Sequence, residues 1–243
     1  QILQSLPQAI QTMLDPAECG PACLSLCQDV QGETFDYPEE FFKERIHNIR
    51  RPRPDDFQIK QAVEKIKNSK KPIIISGGGV FYSDAMDELG NFAIKHNIPV
   101  TQTVMGYSTM KKDHSHFVGP IGGLGGKAAN NLAKETDLAI CIGTKLADFT
   151  TGSWANFENP EFKLVSINIA RHDANKHLAE AVIGDAKVTL TELSNAIGDW
   201  KSSDSWHKKS QVELKSWNEY VDKESGPTNQ ELPSYAHAVG AIY

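Results

Sequence analysis

Short, mostly apolar runs alternate with helical patterns of apolar residues through the middle of the chain. The runs fall at 73–75, 98–101, 138–142, 164–169 and 181–183. Apolar runs this short predict strands that are buried on both faces. Spacings of three or four residues predict helices between them, over 84–96, 127–135 and 186–197. Strands that alternate with helices predict an α/β fold, a Rossmann-like parallel sheet of five to six strands with helices on both faces.

The two ends of the chain do not continue this alternation. Residues 5–14 have the pattern of an amphipathic helix and Ala22–Leu26 predicts a strand, which together are too little to enclose a core. Residues 205–223 and 234–243 predict two helices after the last strand. We therefore expect partial elements of neighbouring domains at both ends. The predicted parts are 1–47, 48–198 as the complete middle domain, and 199–243.

Two helix starts carry capping signals. Asp55 precedes a helical pattern and has Gln58 three residues later, which predicts an N-cap with a capping-box partner. Asp185 precedes the helix predicted over 186–197 and has the same expected capping role.

Composition and charge exclude several classes of function. The net charge is −6 and no stripe of Lys and Arg is visible, which argues against a nucleic-acid partner. No run approaches the ~18 apolar residues of a membrane span, and no secretory signal is seen, so we expect a cytoplasmic protein. The four cysteines lack the paired spacing of zinc sites and are expected to be free thiols: Cys19, Cys23, Cys27 and Cys141.

Four loops follow predicted strands, at the edge of the sheet where open α/β folds bind ligands. They are Gly77–Gly79, Gly119–Gly126, Gly143–Asp148 and Ile167–Ala170. The second also precedes a helix, where backbone N–H groups can face a phosphate. Together they predict a crevice for a nucleotide-like ligand, and tight loops without a ligand remain the alternative. The candidate cofactor-binding residues are Gly77, Gly78, Gly79, Gly122, Gly125, Gly143, Thr144 and Asp148.

Other polar groups give weaker functional signals. The stretch 148–154, DFTTGSW, could line a polyol site, or form a hydroxyl-bonded turn packed under Trp154. We interpret four histidines as surface or polar-loop residues: His114, His116, His172 and His177. No P-loop, nucleophile elbow or zinc-protease motif is present, so we predict no catalytic residue and no metal ligand in this chain.

An ordered set of motifs resembles a known family. The motifs lie at 20–30, 51–55, 73–79, 122–130, 143–152, 167–169 and 182–186. Their order is similar to that in the middle domain of thiamine-diphosphate-dependent enzymes of the acetolactate synthase and pyruvate decarboxylase group. Within that group, DFTTGSW and the run NIARHDANKH at 168–177 most resemble the hydrolases that open a cyclic 1,2-dione in myo-inositol catabolism.

This resemblance implies a role for each part of the chain. Residues 1–47 would end a pyrimidine-binding domain, 48–198 would be the middle domain, and 199–243 would connect to a pyrophosphate-binding domain. Thiamine diphosphate and Mg²⁺ would bind outside this chain, which alone would be an inactive, structural fragment. The intact enzyme would hydrolyse a carbon–carbon bond of a cyclic polyol dione to give 5-deoxy-glucuronate, as a homodimer or homotetramer.

The resemblance also allows an expectation about FAD binding. Members of the family that bind FAD carry a histidine, an arginine and two acids where this chain has Leu124, Lys145, Asn168 and Ala170. These departures argue against FAD. Two other functions remain open: the middle domain of an acetolactate synthase-type carboligase, and a nucleotide-binding structural domain.

Overall fold

The computed structural model of the chain describes residues 1–242, and the chain divides after Pro52 into two units. The first unit contains helix α1 (Ile2–Leu14) and two short 3₁₀ helices, Val30–Gly32 and Glu39–Phe42. No residue between 1 and 52 is buried. The strand predicted over Ala22–Leu26 is wrong, because that segment has no regular secondary structure and pairs with no strand of the described chain.

The second unit contains the sheet and the remaining helices. Its strands are β1 (Pro72–Ser76), β2 (Val100–Gln102), β3 (Phe117–Pro120), β4 (Leu138–Ile142), β5 (Lys163–Asn168) and β6 (Glu180–Ile183). Its helices are α2 (Asp56–Asn68), α3 (Gly78–Tyr82), α4 (Met86–His96), α5 (Lys127–Glu135), α6 (Asp148–Thr151), α7 (Arg171–Ala174), α8 (Ala186–Ile197), α9 (Asp204–Ser225) and α10 (Tyr235–Ile242). Short 3₁₀ helices lie at Val104–Gly106 and Lys176–Leu178.

The six strands are all parallel, in the order β3-β2-β1-β4-β5-β6. From β1 the chain runs outward through β2 to β3, then returns to the other side of β1 as β4. The order of the strands therefore reverses between β1 and β4, as it does at the switch point of doubly wound folds. The predicted fold class is confirmed.

Strand β3 lies where the sequence predicted only a glycine-rich loop. It has two fully apolar residues, Phe117 and Val118, and it is the edge strand of the sheet. Hydrogen bonds with β2 place it there: the Val100 N–H donates to the carbonyl of His116 at 2.7 Å, and the Ile121 N–H donates to the carbonyl of Gln102 at 3.0 Å. Pairing with β2, which is remote in sequence, makes this segment a strand.

Alternate residues of the central strands face two separate apolar cores. In β1, Ile74 points toward α2, α4 and α8, while Ile73 and Ile75 point toward α5 and α9. The most deeply buried phenylalanine of the first core is Phe92, which is 2% exposed. Two helix-covered faces explain why the strands read as continuous apolar runs.

Both predicted helix caps are confirmed, but the predicted capping box is wrong. The Asp55 carboxylate accepts a hydrogen bond from the Phe57 N–H at 2.8 Å. The Asp185 carboxylate accepts from the N–H groups of the second and third residues of α8, at 3.1 and 3.3 Å. The Gln58 side chain instead accepts from the Ile183 N–H at 3.0 Å, so it links α2 to the end of β6.

Helix α9 packs on the same face of the sheet as α5. The Trp206 indole N–H donates to the carbonyl of Pro72 at 2.8 Å. A Cβ atom added to Gly126, the N-cap of α5, would lie 2.8 Å from the Trp217 indole nitrogen. Within residues 1–242, no helix combines the length and the apolar character that a membrane span requires.

Candidate functional site

The ends of β1 and β4 approach each other closely at the switch point. The Gly77 N–H donates to the carbonyl of Ile142 at 2.8 Å, and the Gly79 N–H donates to the carbonyl of Gly143 at 2.9 Å. A Cβ added to Gly77 would lie 2.4 Å from the Gly143 oxygen, and one added to Gly79 would lie 2.6 Å from the Gly143 Cα. Contact between two backbones therefore requires glycine here, whether or not a ligand binds.

The second glycine loop is also held by contacts within the fold. Gly122 has φ +105°, and a Cβ there would lie 2.1 Å from the Phe149 carbonyl oxygen. The Asn130 side chain accepts from the Gly122 N–H at 2.9 Å and donates to its carbonyl at 3.0 Å. A Cβ at Gly125 would lie 2.5 Å from the Ile121 carbonyl carbon. The N–H groups of Gly122, Gly123, Gly125 and Gly126 are all hydrogen-bonded within the protein, so none is free for a phosphate.

A cavity of about 560 Å³ opens beside these loops, at the carboxyl edge of the sheet. Backbone atoms of the loops that follow β1, β4 and β5 form one part of the cavity wall, and apolar side chains form most of the remainder. The side chains that line it include Tyr82, Val104, Met105, Leu124, Phe149 and Ile167. Its volume falls in the range of small-molecule sites.

A few polar groups lie in this mostly apolar wall. The Asn168 amide donates to the carbonyl of Thr144 at 3.1 Å, and its oxygen accepts from the Ala170 N–H at 3.0 Å. Asp173 is paired with Lys176 at 2.5 Å. Lys145 lines the cavity and makes no ion pair with the described residues, so it is the cation best placed to meet an anionic ligand.

The rim of the cavity exposes large apolar side chains to solvent. Tyr82, Met105, Phe149 and Leu124 are 79%, 75%, 70% and 69% exposed. Exposed apolar side chains clustered around a cavity indicate a surface that meets a ligand or another part of a protein. The glycine motifs from which the crevice was predicted do not indicate this apolar rim.

The structure brings together half of the residues proposed from sequence for a nucleotide-like crevice. Gly78, Gly79, Gly143 and Thr144 line the cavity. The other four lie outside its lining: Gly77, Gly122, Gly125 and Asp148. Asn168 lies in the predicted loop Ile167–Ala170 and lines the cavity from the end of β5, although it was not among the candidate cofactor-binding residues. The rule for parallel strands selected this loop but could not say which of its side chains faces the cavity.

The stretch 148–154 forms a compact hydroxyl-bonded turn. The Ser153 hydroxyl donates to the Asp148 carboxylate at 3.1 Å, and the Trp154 N–H donates to the Thr151 hydroxyl at 3.4 Å. The Trp154 ring meets the His177 ring edge-on, with centroids 4.5 Å apart. Internal hydrogen bonds use these hydroxyls, which favours the turn over a polyol site.

The described residues do not form a metal centre. In residues 1–242, no group of three or more His, Cys, Asp and Glu side chains is arranged to hold a metal ion. All four cysteines are free; Cys141 is buried, and burial raises the pKa of its thiol. A magnesium-bound diphosphate therefore does not fit the residues of this cavity.

The chain is similar to a known protein family and to several curated proteins. Residues 59–193 match the family model described as thiamine pyrophosphate enzyme, central domain. The chain is 42% identical over 223 residues to 3D-(3,5/4)-trihydroxycyclohexane-1,2-dione hydrolase of Clostridium perfringens strain 13, a match covering 92% of this chain and 35% of that protein.

Two further relatives carry the same name. The protein of Clostridium botulinum strain Alaska E43 is 45% identical over 193 residues, covering 79% of this chain and 30% of the relative. The protein of Bacillus licheniformis strain ATCC 14580 is 43% identical over 202 residues, covering 83% and 32%. The chain thus spans about a third of the length of the curated relatives it matches.

Proposed function

The chain belongs to the thiamine pyrophosphate enzymes, whose central domain it contains, and from this premise we propose that it is the middle part of a hydrolase that opens a cyclic 1,2-dione. The 42% identity over 223 residues to a trihydroxycyclohexane-dione hydrolase carries this proposal. In it, residues 48–198 are the middle domain, between a pyrimidine-binding remnant at 1–47 and a connecting segment at 199–243. The middle domain acts as a scaffold in this proposal.

The proposal extends to the cofactor and to the assembly. Thiamine diphosphate, when bound, supplies the electron sink for cleavage of a carbon–carbon bond. We place it and Mg²⁺ on parts of the intact protein other than this chain, because the described residues offer no metal-binding group. The intact protein is proposed to work in the cytoplasm as a homodimer or homotetramer, without nucleic acid.

An activity assay tests this function. The full-length protein that contains this segment should consume 3D-trihydroxycyclohexane-1,2-dione when thiamine diphosphate and Mg²⁺ are both supplied, and lose activity without either. The 243-residue chain alone should show no turnover under the same conditions. Turnover by the chain alone would contradict its structural role. Formation of acetolactate from pyruvate by the full-length protein, with the dione left unchanged, would favour a carboligase instead.

The crevice supports a second candidate, the binding of a nucleotide-like ligand by the middle domain itself. Four of the glycine and threonine residues proposed from sequence line the cavity, and Lys145 adds a cation there. The four positions that depart from flavin-binding relatives also line it: Leu124, Lys145, Asn168 and Ala170. A flavin would therefore meet leucine, lysine, amide and methyl groups where those relatives have histidine, arginine and acids. We propose that FAD is not its ligand.

Calorimetric titration with ADP, NAD and FAD tests this candidate. We expect ADP to bind more tightly than FAD, and Lys145→Met to weaken ADP binding about tenfold, as loss of one phosphate contact would. Lys163→Met is the matched control, since Lys163 is the first residue of β5 and the cavity lies at the last residues of that strand. Absence of ADP binding, or equal effects of the two substitutions, would leave the crevice without a nucleotide.

A further inference from the structure

Three histidines meet where α9 packs beside the beginning of β3. The rings of His116 and His207 stack with centroids 4.2 Å apart and planes 22° apart, and the His114 ring lies 5.9 Å from His116. His116 is only 6% exposed. His116 lies in the turn before β3, as a polar-loop residue should, but its side chain is not at the surface, because α9 returns from a distant part of the sequence to cover it.

Hydrogen bonds connect this cluster to two helices. The His116 ring bonds through Nδ1 to the Ser115 hydroxyl at 2.9 Å and through Nε2 to the Asn97 side-chain oxygen at 3.2 Å. The Asn97 amide donates in turn to the carbonyl of Ser202 and to the Asp204 carboxylate, both at 3.2 Å. His116 thus lies between the end of α4 and the start of α9.

The position of His207 on α9 completes the contact. Its Nδ1 atom is buried and has no hydrogen-bond partner among the described residues. On the next turn, the Gln211 amide donates to the carbonyl of Ser115 at 2.8 Å. Without a partner for Nδ1, the His207 ring is held mainly by stacking, which suits a neutral imidazole in a site with little water.

Burial and two carboxylates, Asp113 and Asp204, set the charge of the cluster. Burial lowers the pKa of His116 to about 4, and repulsion from His207 and His114 adds to this effect. Burial also lowers the pKa of His207 and of His114. Asp204 on α9 opposes the shift at His207, and Asp113 opposes it at His114. All three rings are therefore neutral at about pH 7.

We propose that the histidine latch, formed by His116 and His207 with His114 beside them, holds the first half of α9 on β3 at neutral pH and releases it in mild acid. A proton on either stacked ring places a charge in a largely buried site, and a second proton on a neighbouring ring adds charge repulsion between the two. The ion pairs of Glu135 with Lys71 and Lys209 do not weaken in the same range, since hydrogen bonding to Lys209 lowers the pKa of Glu135. The response is therefore assigned to histidines; burial also lowers the pKa of His96 at the end of α4, but its ring bonds the Ser194 hydroxyl of α8 at 3.1 Å.

The sign and size of the effect follow from proton binding. The docked state binds fewer protons than the released state, so docking weakens as pH falls from 6.5 toward about 4. The pKa of His116 is about 4 in the docked state and 6.5 when the ring is exposed. This difference means that protonation of His116 alone shifts the equilibrium toward release about 30-fold at about pH 5. Protonation of His207 acts in the same direction.

Amide hydrogen exchange on the 243-residue chain tests the latch. After correction for intrinsic exchange rates, protection of residues 206–214 should fall at least tenfold between about pH 7.5 and about pH 5, while the central strand β4 keeps its protection. The double variant His116→Phe/His207→Phe retains two aromatic rings that can stack but cannot be protonated, and should show less than a twofold fall. His172→Gln, at an exposed histidine, is the control and should behave as the unsubstituted chain.

Three outcomes would overturn the latch. They are unchanged protection of α9 in acid, an equal fall in β4, and an equal fall in the His116→Phe/His207→Phe double variant. If that variant does not fold, NMR titration of the His116 ring decides in its place. A ring that titrates near its ordinary pKa of 6.5, with α9 still docked, would show that His116 is not part of an acid-sensitive contact.

Discussion

The two units of the chain contain similar apolar side chains but use them differently. In the first unit Phe42 is 71% exposed and Ile46 is 83% exposed, and no residue from 1 to 52 is buried. In the second unit Phe92 is 2% exposed and Ile74 is fully buried. The difference is the presence of a sheet. Six paired strands provide two flat faces against which helices can bury their apolar sides, and the first unit has none.

This comparison shows that an amphipathic pattern predicts an element but not a core. Helix α1 has a strong apolar stripe, yet none of its residues is buried. The rings of Phe35, Tyr37, Phe41 and Phe42 contact one another, with centroids 5.0 to 6.0 Å apart, and stay mostly at the surface. An element becomes stabilising only when another surface covers it. Matched substitutions in the two units test this difference.

The largest difference is expected for a phenylalanine in each unit. Phe92→Ala should lower the free energy of unfolding by about 3–5 kcal/mol, because it leaves a cavity in the core. Phe42→Ala should lower it by less than about 0.5 kcal/mol, since the ring is already in solvent. Urea denaturation followed by circular dichroism measures both values. Similar losses at the two positions would mean that the first unit has a core of its own.

A smaller difference is expected for a glycine in each unit. Gly143 has φ +58°, and a Cβ there would lie 2.6 Å from the Gly79 Cα. Gly143→Ala should cost about 2–4 kcal/mol, from left-handed strain and from overpacking. At Gly32 a Cβ would meet no atom within 4 Å, so Gly32→Ala should change stability by less than about 0.5 kcal/mol. Thermal melts would show the contrast, and an unchanged melting temperature for Gly143→Ala would disprove the close approach.

The smallest difference is expected for the helix caps. Asp185→Ala should cost about 1 kcal/mol, because two N–H groups at the start of α8 lose their acceptor. Asp185→Asn should restore most of that stability. Asp29 caps only a three-residue 3₁₀ helix in the first unit, so Asp29→Ala should cost less than about 0.5 kcal/mol. Chemical denaturation of the three variants measures the free energy of unfolding. Equal losses for Asp185→Ala and Asp29→Ala would contradict the expected difference between the two caps.

The sequence predicted the interior of the second unit closely, and the reasons are local. Helices α5 and α8 and strand β4 have the bounds that their apolar patterns predicted, 127–135, 186–197 and 138–142. Strand β3 was missed because its two apolar residues, Phe117 and Val118, are followed by Gly119 and are too few to show a periodic pattern. Gln58 was given the wrong partner because the Ile183 N–H comes near it only in the folded sheet.

The candidate site, too, could be predicted from the sequence only in part. The rule that ligands bind at the carboxyl ends of parallel strands led from the glycines to the crevice. It could not separate Gly79, which lines the cavity, from Gly122, whose lack of a side chain is required by the Phe149 carbonyl. A glycine that faces a ligand and one that faces another backbone look identical in sequence.

By itself the sequence determined the alternation of strands and helices, the two apolar faces of the sheet and the family, because these follow from periodicity and from motifs in order. Only the tertiary structure decided that β3 is a strand, that the glycine loops are closed by other loops, and that His116 stacks on His207. These features join residues far apart in the chain. Their free energy comes from contacts that exist only after the sheet has formed, so no local pattern can encode them.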